Sequence, residues 1–319
     1  MKLRRSTSVL AILTTLAACG GGNSGSTSLY AKGPVHVAAF AFDTQHRLWF
    51  ATAAYTDEGI DGVYLVEKQG ARPVEVIAHL HTPLGLLWRD GELYVASKGG
   101  VVAYSHLESE HFTTRRTVLA LPDNVGELNN LVLAPNGRLL LGISSPCDHC
   151  TPANPYSAAI ISFATNGQEV QPYATGIRAP VGLAFEPDTT NLFVTIDQRD
   201  DFGAQTPGDR LARVDEGTDW RFPECYGRGG AGCKDVPEPT AVLDQHAAVA
   251  GIAIEGTAAY VAEWASGKVL RVSLAKSGTS TVTPFSTNIK HPVAIAITPD
   301  GALLVGDWAS GSIFKLSLR

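Results

Sequence analysis

The chain alternates between short apolar runs and tight turns, and this pattern recurs about every 40–50 residues. In the second unit, Pro83–Trp88 leads through Asp90-Gly91 into a second apolar run, Leu93–Ala96. Such pairs of runs are typical of β-hairpins, because Asp-Gly and Asn-Gly turns supply the positive φ angles that short connections need. The six units begin in order at Val37, Pro83, Asn130, Val181, Gly251 and Ala294.

A third apolar run and a more polar outer segment complete most units. The outer segments are Val74–Leu80, Thr117–Leu121, Val170–Ala174, Thr240–Leu243 and Thr281–Phe285. Six units of four strands predict an all-β fold, a six-bladed β-propeller with four-stranded blades. The last unit ends near Lys315 without an outer segment, while Ser28–Ala31 precedes the first unit without a partner. We therefore predict that this N-terminal strand closes the ring as the outer strand of the last blade.

The first residues follow the order of an export signal, with basic residues before a short apolar stretch, Val9–Ala17. Leu16–Cys19 resembles the lipobox of bacterial lipoproteins, in which the cysteine carries the lipid, and a Gly/Ser-rich tether follows. We expect an exported protein that is lipid-anchored through Cys19 to the bacterial cell envelope; an ordinary secretory signal is the alternative. The expected divisions are a signal peptide at 1–18, a tether at 19–27 and a single propeller at 28–319.

Composition narrows the class of function. A hydrophobic fraction of 45% and a charged fraction of 18% exclude a disordered chain. A net charge of −6 predicts no nucleic-acid partner, and the absence of an apolar run of about 18 residues limits membrane contact to the lipid. An even number of cysteines after Cys19 favours disulfides in an exported chain. Local spacing suggests Cys147–Cys150 and Cys225–Cys233, with a zinc site as the alternative.

In a propeller, the residues just before each innermost strand surround the mouth of the central channel. In this chain they include His36, His81, Glu127, Asn130, Arg178, His246, Lys290 and His291. Converging polar groups in a concave region predict a binding site. Two loops rich in Asp and Gly, at 145–150 and 197–203, suit a hard cation such as Ca²⁺. A solvated turn is the alternative for both loops.

A more specific pattern lies between residues 176 and 227. The run GIRAPVGLAF at 176–185 precedes LFVTIDQRD at 192–200, PGD at 207–209 and FPECYG at 222–227. With SSPCDHC at 144–150, it resembles the soluble glucose/sorbosone dehydrogenases, among them the pyranose dehydrogenase type that uses pyrroloquinoline quinone (PQQ). The resemblance implies a six-bladed propeller that holds PQQ beside Ca²⁺. It also implies oxidation of a sugar hydroxyl by hydride transfer to the quinone, with an external electron acceptor.

The resemblance also assigns roles to single positions. PQQ carries three carboxylates, so cationic side chains are expected to hold it. The implied cofactor positions are Arg178, Gln198, Asp209, Lys268 and His291, where His291 stands in place of an arginine. The implied calcium positions, through their backbone carbonyls, are Arg199 and Asp200.

The chain departs from the family at the catalytic base. The family's catalytic histidine corresponds to Gly126, which is followed by Glu127. One hypothesis is that Glu127 or His246 replaces this base, with Arg178 beside it in the catalytic site. A second is a propeller that binds a sugar or a partner protein without oxidising it. A third is a gluconolactonase-like hydrolase in which Glu127 and Asn130 are metal ligands.

The expected lipid anchor is tested by Cys19→Ser. We expect the wild type to partition into the detergent phase and the variant into the aqueous phase, because each buried CH₂ of an acyl chain contributes about 0.8 kcal/mol to membrane binding. Phase separation followed by immunoblotting measures the distribution, with Cys225→Ser as the control that retains Cys19. A wild type already in the aqueous phase would show that the signal is an ordinary secretory one.

Overall fold

The structure is a computed structural model that describes residues 26–56, 58–226, 231–274 and 280–318. The predicted signal peptide, Cys19 and most of the predicted tether lie outside these residues. Within them the chain forms six four-stranded antiparallel sheets arranged as a ring, the predicted six-bladed β-propeller. No helix in the described ranges is long and apolar enough to cross a bilayer.

The strands follow one another around the ring, and each blade is numbered by the order of its innermost strand. Blade 1 contains β2 (Val37–Phe42), β3 (Leu48–Thr52), β4 (Asp61–Val66) and β5 (Val74–Leu80), and blade 2 contains β6 (Gly85–Arg89), β7 (Glu92–Ser97), β8 (Gly100–Glu108) and β9 (His111–Ala120). Blade 3 contains β10 (Leu128–Leu133), β11 (Leu139–Ile143), β12 (Ala159–Phe163) and β13 (Gln171–Ala174), and blade 4 contains β14 (Pro180–Phe185), β15 (Leu192–Ile196), β16 (Gly208–Val214) and β17 (Ala241–Gln245). Blade 5 contains β18 (Val249–Glu255), β19 (Ala258–Glu263), β20 (Lys268–Ser273) and β21 (Val282–Ser286), and blade 6 contains β22 (Pro292–Ile297), β23 (Leu303–Asp307), β24 (Ser312–Leu316) and β1 (Thr27–Lys32).

The second strand of each blade is covered by protein on both faces. Every residue of β3, β11, β15, β19 and β23 is buried, so these strands are continuous apolar runs rather than alternating ones. The core lies between blades, where side chains of adjacent sheets interdigitate. Trp49 of blade 1, for example, stacks on Trp88 of blade 2 with ring centroids 5.3 Å apart.

Two glycines of the innermost strands permit close contact between neighbouring blades. A Cβ at Gly182 would lie 2.8 Å from the carbonyl oxygen of Ala250, and one at Gly251 would lie 2.7 Å from that of Val293. Any larger residue would push the blades apart at these points. Glycine therefore sets the spacing of blades 4, 5 and 6 around the central channel.

The predicted ring closure is confirmed. β1 pairs antiparallel with β24, with Leu29 opposite Phe314 and Lys32 opposite Ser312. Sequence analysis placed the other outer strands within one residue at their starts, except that β9 begins at His111 rather than Thr117. The tight β8–β9 hairpin continues the pairing to Glu108 and His111. The first residues of β9 are mostly polar, so the apolar pattern did not predict them as strand. Both predicted disulfides are present as well.

Buried carboxylates tie successive blades together. Asp61, at the start of β4, accepts hydrogen bonds from the backbone N–H of Ala54 (2.9 Å) and of Thr82 (3.2 Å), which leads into blade 2. Asp209 repeats this arrangement in blade 4 and accepts from Gln198 N and Val249 N, both at 2.9 Å. Each carboxylate therefore holds the loop after its own second strand against the next blade, and we call these two residues the inter-blade clamps.

The clamp of blade 4 differs from that of blade 1 in having a second acid beside it. Burial, together with the charge of Asp197, raises the pKa of Asp209 to about 8. The folded protein therefore holds a proton on Asp209 that the unfolded chain would release near pH 4. Because the folded-state pKa is the higher one, the stability that this proton contributes is complete below about pH 4 and is lost as pH rises through about 8.

We predict that Asp209→Asn removes much of this pH dependence, because the amide does not titrate; it also lowers stability at every pH, because its Nδ2 cannot accept one of the two backbone N–H groups. The melting temperature of the wild type should fall more steeply than that of the variant between pH 6 and pH 9, measured by circular dichroism. Asp61→Asn is the matched control, since it alters an equivalent clamp that lacks the second acid, and it should lower stability by a similar amount at every pH. Parallel curves for wild type and Asp209→Asn would contradict the assignment.

Ring closure gives a second prediction. Deletion of residues 26–32 should lower the free energy of unfolding by at least about 2 kcal/mol, because it exposes the edge of β24 and removes the buried side chains of Tyr30 and Ala31. Chemical denaturation measures the change, and deletion of residues 20–25 serves as the control. Identical denaturation midpoints for the two deletions would refute a structural role for β1.

Candidate functional site

A cavity of about 1060 Å³ opens at the centre of the ring, and all six blades contribute to its lining. Such a volume is sufficient for a small-molecule ligand. Its charged lining residues are Lys98, Asp123, Glu127, Asp148, Arg178 and Asp197. Four carboxylates thus face two cationic side chains, which gives the lining a formal charge of −2 with histidine neutral.

Arg178 lies in this cavity, just before β14. Its guanidinium donates to the carboxylates of Asp148 (2.7 Å) and Asp197 (2.9 Å) and to the backbone carbonyl oxygens of the same two residues (both 3.2 Å). Its salt bridges therefore go to these two aspartates. Four charge-assisted contacts fix the guanidinium as a strut between two loops.

Glu127 lines the cavity from the position just before β10, and the conformation of the preceding residue, Gly126, places it there. Gly126 has a φ of 107°, and a Cβ there would lie 2.1 Å from the carbonyl oxygen of Ser144. No residue with a side chain fits at 126 in this structure, so the position of the family's catalytic histidine is closed. The side chain that reaches the cavity from this turn is that of Glu127.

The electrostatic surroundings of Glu127 make it a stronger base than an ordinary carboxylate. Although Glu127 is exposed to the open cavity, the protein atoms around its carboxyl and the charge of Asp197 raise its pKa above the usual value, while Arg178 opposes the rise. Tyr55, which lines the cavity from the loop after β3, senses the same charges. Tyr55 is half-exposed as a residue, but the enclosure of its phenol oxygen and the charges of Glu127 and Asp197 raise its pKa, so the hydroxyl stays protonated and is a hydrogen-bond donor.

Among the residues that the structure describes, two polar atoms of the cavity wall have no hydrogen-bond partner. They are Nε2 of His81 and Oδ1 of Asn130, and both are inaccessible to solvent at the atom itself. In contrast, Nδ2 of the neighbouring Asn129 donates two hydrogen bonds, to Ser144 Oγ (2.9 Å) and to the carbonyl oxygen of Pro180 (3.2 Å). Unpaired buried polar groups are costly, and because neither atom is exposed to the cavity, a ligand hydroxyl reaches them only after these side chains move.

The sequence analysis missed the aromatic part of the lining. Trp264 follows β19 and Trp308 follows β23, and both indoles line the cavity. A signal was present in the sequence, because Glu263–Gly267 and Asp307–Gly311 share the pattern acid-Trp-Ala-Ser-Gly. His36 and His291, both predicted at the channel mouth, pack behind these indoles instead of lining the cavity.

Several predicted site residues lie outside the described cavity lining. His246 contacts Asp200 Oδ1 through Nδ1 (2.7 Å) and the carbonyl oxygen of Gly203 through Nε2 (2.8 Å). These two acceptors raise the pKa of His246, Gly203 contributing most. Lys268 donates to Asp244, and Asp209 is the inter-blade clamp already described. A cofactor role for these residues and for Gln198, which is buried beside Arg178, stays a prediction.

The predicted calcium loop is held together by its own ion pairs. Arg199 binds the carboxylate of Asp201, and its guanidinium lies beside the contacting rings of Phe202 and Tyr226, 4.2 and 4.8 Å from their centroids. Asp148, His149 and Asp201 bring ligand atoms within 4.8 Å of one another at the rim. However, Arg178 already neutralises Asp148, and Arg199 already neutralises Asp201. This cluster therefore fits a divalent cation poorly.

PQQ does not fit the charges of the described cavity either. Its three carboxylates would enter a lining with a formal charge of −2. Among the cations assigned to it, Arg178 is occupied by two aspartates and Lys268 is paired with Asp244 away from the cavity. His291 faces the carbonyl oxygen of Trp264 at 3.2 Å. A neutral, hydroxylated ligand matches these surroundings better than a trianion does.

Solved structures share this fold at low sequence identity. An aldose sugar dehydrogenase from Streptomyces coelicolor, solved with PQQ bound, is 19% identical, with a TM-score of 0.76 over 93% of this chain and 99% of that one. A carbohydrate-active enzyme of family AA12 from Trichoderma reesei is 18% identical, with a TM-score of 0.79 over 93% and 97%. The soluble aldose sugar dehydrogenase of Escherichia coli is 18% identical, with a TM-score of 0.71 over 92% and 99%.

Sequence comparison supplies the family. An uncharacterised protein of Borreliella burgdorferi is 23% identical over 190 residues, a stretch that covers 54% of this chain and about half (49%) of that relative. The model of the SMP-30/gluconolactonase/LRE-like region matches residues 43–209, from the first blade to the clamp of the fourth. This match spans more than half of the chain, and the protein therefore belongs to the SMP-30/gluconolactonase/LRE-like family.

Proposed function

We propose that the protein acts on a neutral sugar derivative in the central cavity and that it hydrolyses a sugar lactone. The observation that carries this proposal is the placement of Glu127 in the cavity with a raised pKa. A general base works best when its pKa lies near the working pH. Hydrolysis uses water as the second reactant, so it needs no electron acceptor and no tricarboxylate cofactor.

The residues of the cavity can perform both proton transfers of this reaction. Glu127 takes a proton from a water molecule as the water oxygen bonds to the lactone carbonyl carbon. The ring ester C–O bond then breaks, and Glu127 returns the proton to the departing hydroxyl oxygen, giving an open-chain hydroxy acid. Tyr55, which lines the cavity, can donate a hydrogen bond to the substrate.

A sugar dehydrogenase is the second candidate, and the pattern of residues 176–227 favours it. In that case Glu127 would take the proton of a sugar hydroxyl, and a quinone and an external electron acceptor would take the electrons. The charges of the cavity lining weigh against this candidate.

The third candidate is a metal-dependent hydrolase in which Glu127 and Asn130 are metal ligands, a role that their shared place in the cavity lining permits. We also retain the proposal of an exported protein anchored through Cys19.

We predict that Glu127→Gln lowers kcat for hydrolysis of D-glucono-1,5-lactone by about 10²–10⁴-fold, the usual contribution of a general base. A pH-stat measures the rate, after subtraction of spontaneous hydrolysis. The wild-type rate should fall on the acid side with a midpoint above the ordinary glutamate pKa of 4.5. Glu75→Gln is the matched control, since Glu75 pairs with Tyr64 on the outer strand of blade 1.

Two further assays separate the candidates. Reduction of a redox dye by an aldose in the presence of PQQ and Ca²⁺, without lactone hydrolysis, would replace the proposal with the dehydrogenase. Hydrolysis that EDTA abolishes and Ca²⁺ restores would favour the metal-dependent variant of the same reaction. Full lactone hydrolysis by Glu127→Gln would remove Glu127 from the mechanism.

A further inference from the structure

The two tryptophans of the cavity are presented by two copies of one turn. In blade 5, Ser266 Oγ donates to Glu263 Oε2 at 2.6 Å, and in blade 6, Ser310 Oγ donates to Asp307 Oδ2 at 2.7 Å. The backbone N–H of Gly267 and of Gly311 closes each turn onto the carbonyl oxygen of the same acid, at 3.1 and 2.9 Å. The acid and the serine therefore fix the residue between them, which is tryptophan in both blades.

Both indoles are held rigidly and are open on the cavity side. Trp264 packs against His291 with ring centroids 4.9 Å apart, and Trp308 packs against His36 at 4.3 Å. Trp308 Nε1 also donates to the carbonyl oxygen of Ala53 at 2.8 Å, so its ring cannot turn freely. The two indole planes meet at 82° with centroids 5.9 Å apart. We call this pair the aromatic corner.

The aromatic corner and the carboxylates lie on different sides of the ring. Trp308 belongs to blade 6, and the six-fold order of the blades puts blade 3, which carries Glu127 and Asn130, directly across the channel. A molecule in the cavity therefore has an apolar wall on one side and proton-transfer and hydrogen-bonding groups on the other. Sidedness of this kind suits a ring with one apolar face and polar substituents at its edge.

We propose that the aromatic corner is a stacking subsite for the apolar C–H face of a neutral six-membered sugar ring. The subsite rests on the proposed function for the identity of the reacting molecule. The C–H groups of a pyranose face meet the negative face of an indole and bury apolar surface against it. A ring stacked on the blade 6 side leaves its other face and its hydroxyl groups in the part of the cavity that Glu127 lines. The negative lining excludes sugars that carry a carboxylate of their own.

Binding measurements test the subsite without requiring turnover. The probe is methyl β-D-glucopyranoside, titrated into wild type, Trp264→Ala, Trp308→Ala and the two corresponding Phe variants, with calorimetry as the readout. We expect the alanine variants to lose at least 10-fold in affinity and the phenylalanine variants to lose clearly less. Trp88→Phe is the matched control, because Trp88 lies in the core between blades 1 and 2 and should leave binding unchanged. D-glucuronate should bind at least 10-fold more weakly than the glucoside.

The outcomes separate this inference from the proposed function. Equal affinity of wild type and the folded alanine variants, or no binding of the glucoside by the wild type, overturns the subsite. Binding that depends on both tryptophans, in a protein that hydrolyses no lactone, supports the subsite and removes the proposed reaction. If an alanine variant does not fold, as judged by circular dichroism, the graded loss in the phenylalanine variants decides the question, and unchanged affinity there also overturns the subsite.

Discussion

The site depends on buried carboxylates that accept backbone N–H groups from more than one loop. A propeller blade ends in loops whose N–H groups would be left unpaired between sheets, and Asp61 and Asp209 satisfy them across the blade boundary. Glu263 and Asp307 perform a related task beneath the two tryptophans. Because each acid binds backbone, the loops above it keep one conformation, and the side chains on those loops keep their places in the cavity.

The same accumulation of acids sets the chemistry of the cavity. Two aspartates occupy the guanidinium of Arg178, so this residue joins the loops of blades 3 and 4 and leaves little positive charge for a ligand. No cation of the described residues forms a salt bridge with Glu127, and its pKa is raised although Arg178 partly opposes the rise. A single turn, closed to any side chain at Gly126, delivers that carboxylate to the channel. Carboxylates thus stabilise the loops where they are paired with Arg178, and a carboxylate serves as the proposed base where it is not.

Local patterns in the sequence were sufficient to predict the fold. Hairpin turns and apolar runs are short-range features, and the unpaired strand at Ser28–Ala31 indicated the ring closure directly. The positions of Glu127 and Arg178 were also predictable, because they immediately precede innermost strands. The partners of His246 and Lys268 were not, since Asp200 lies in a loop and Asp244 in the outer strand of the neighbouring blade, and spacing reveals neither contact. Trp264 and Trp308 were not predicted, because they lie in the turns after the second strands of their blades, outside the hairpin repeat that predicts the fold.

Ring closure by β1 also determines how the molecule bears mechanical load. The chain enters the propeller through the outermost strand of blade 6, which pairs antiparallel with β24 along its length. A pull on the N-terminal end of β1 acts along the strand, so its hydrogen bonds to β24 resist together in shear. The innermost strands and the cavity lie three strands away from that line of force. Tension applied to the N-terminal end of β1 would therefore act first on the rim of blade 6, three strands away from the cavity that Glu127 lines.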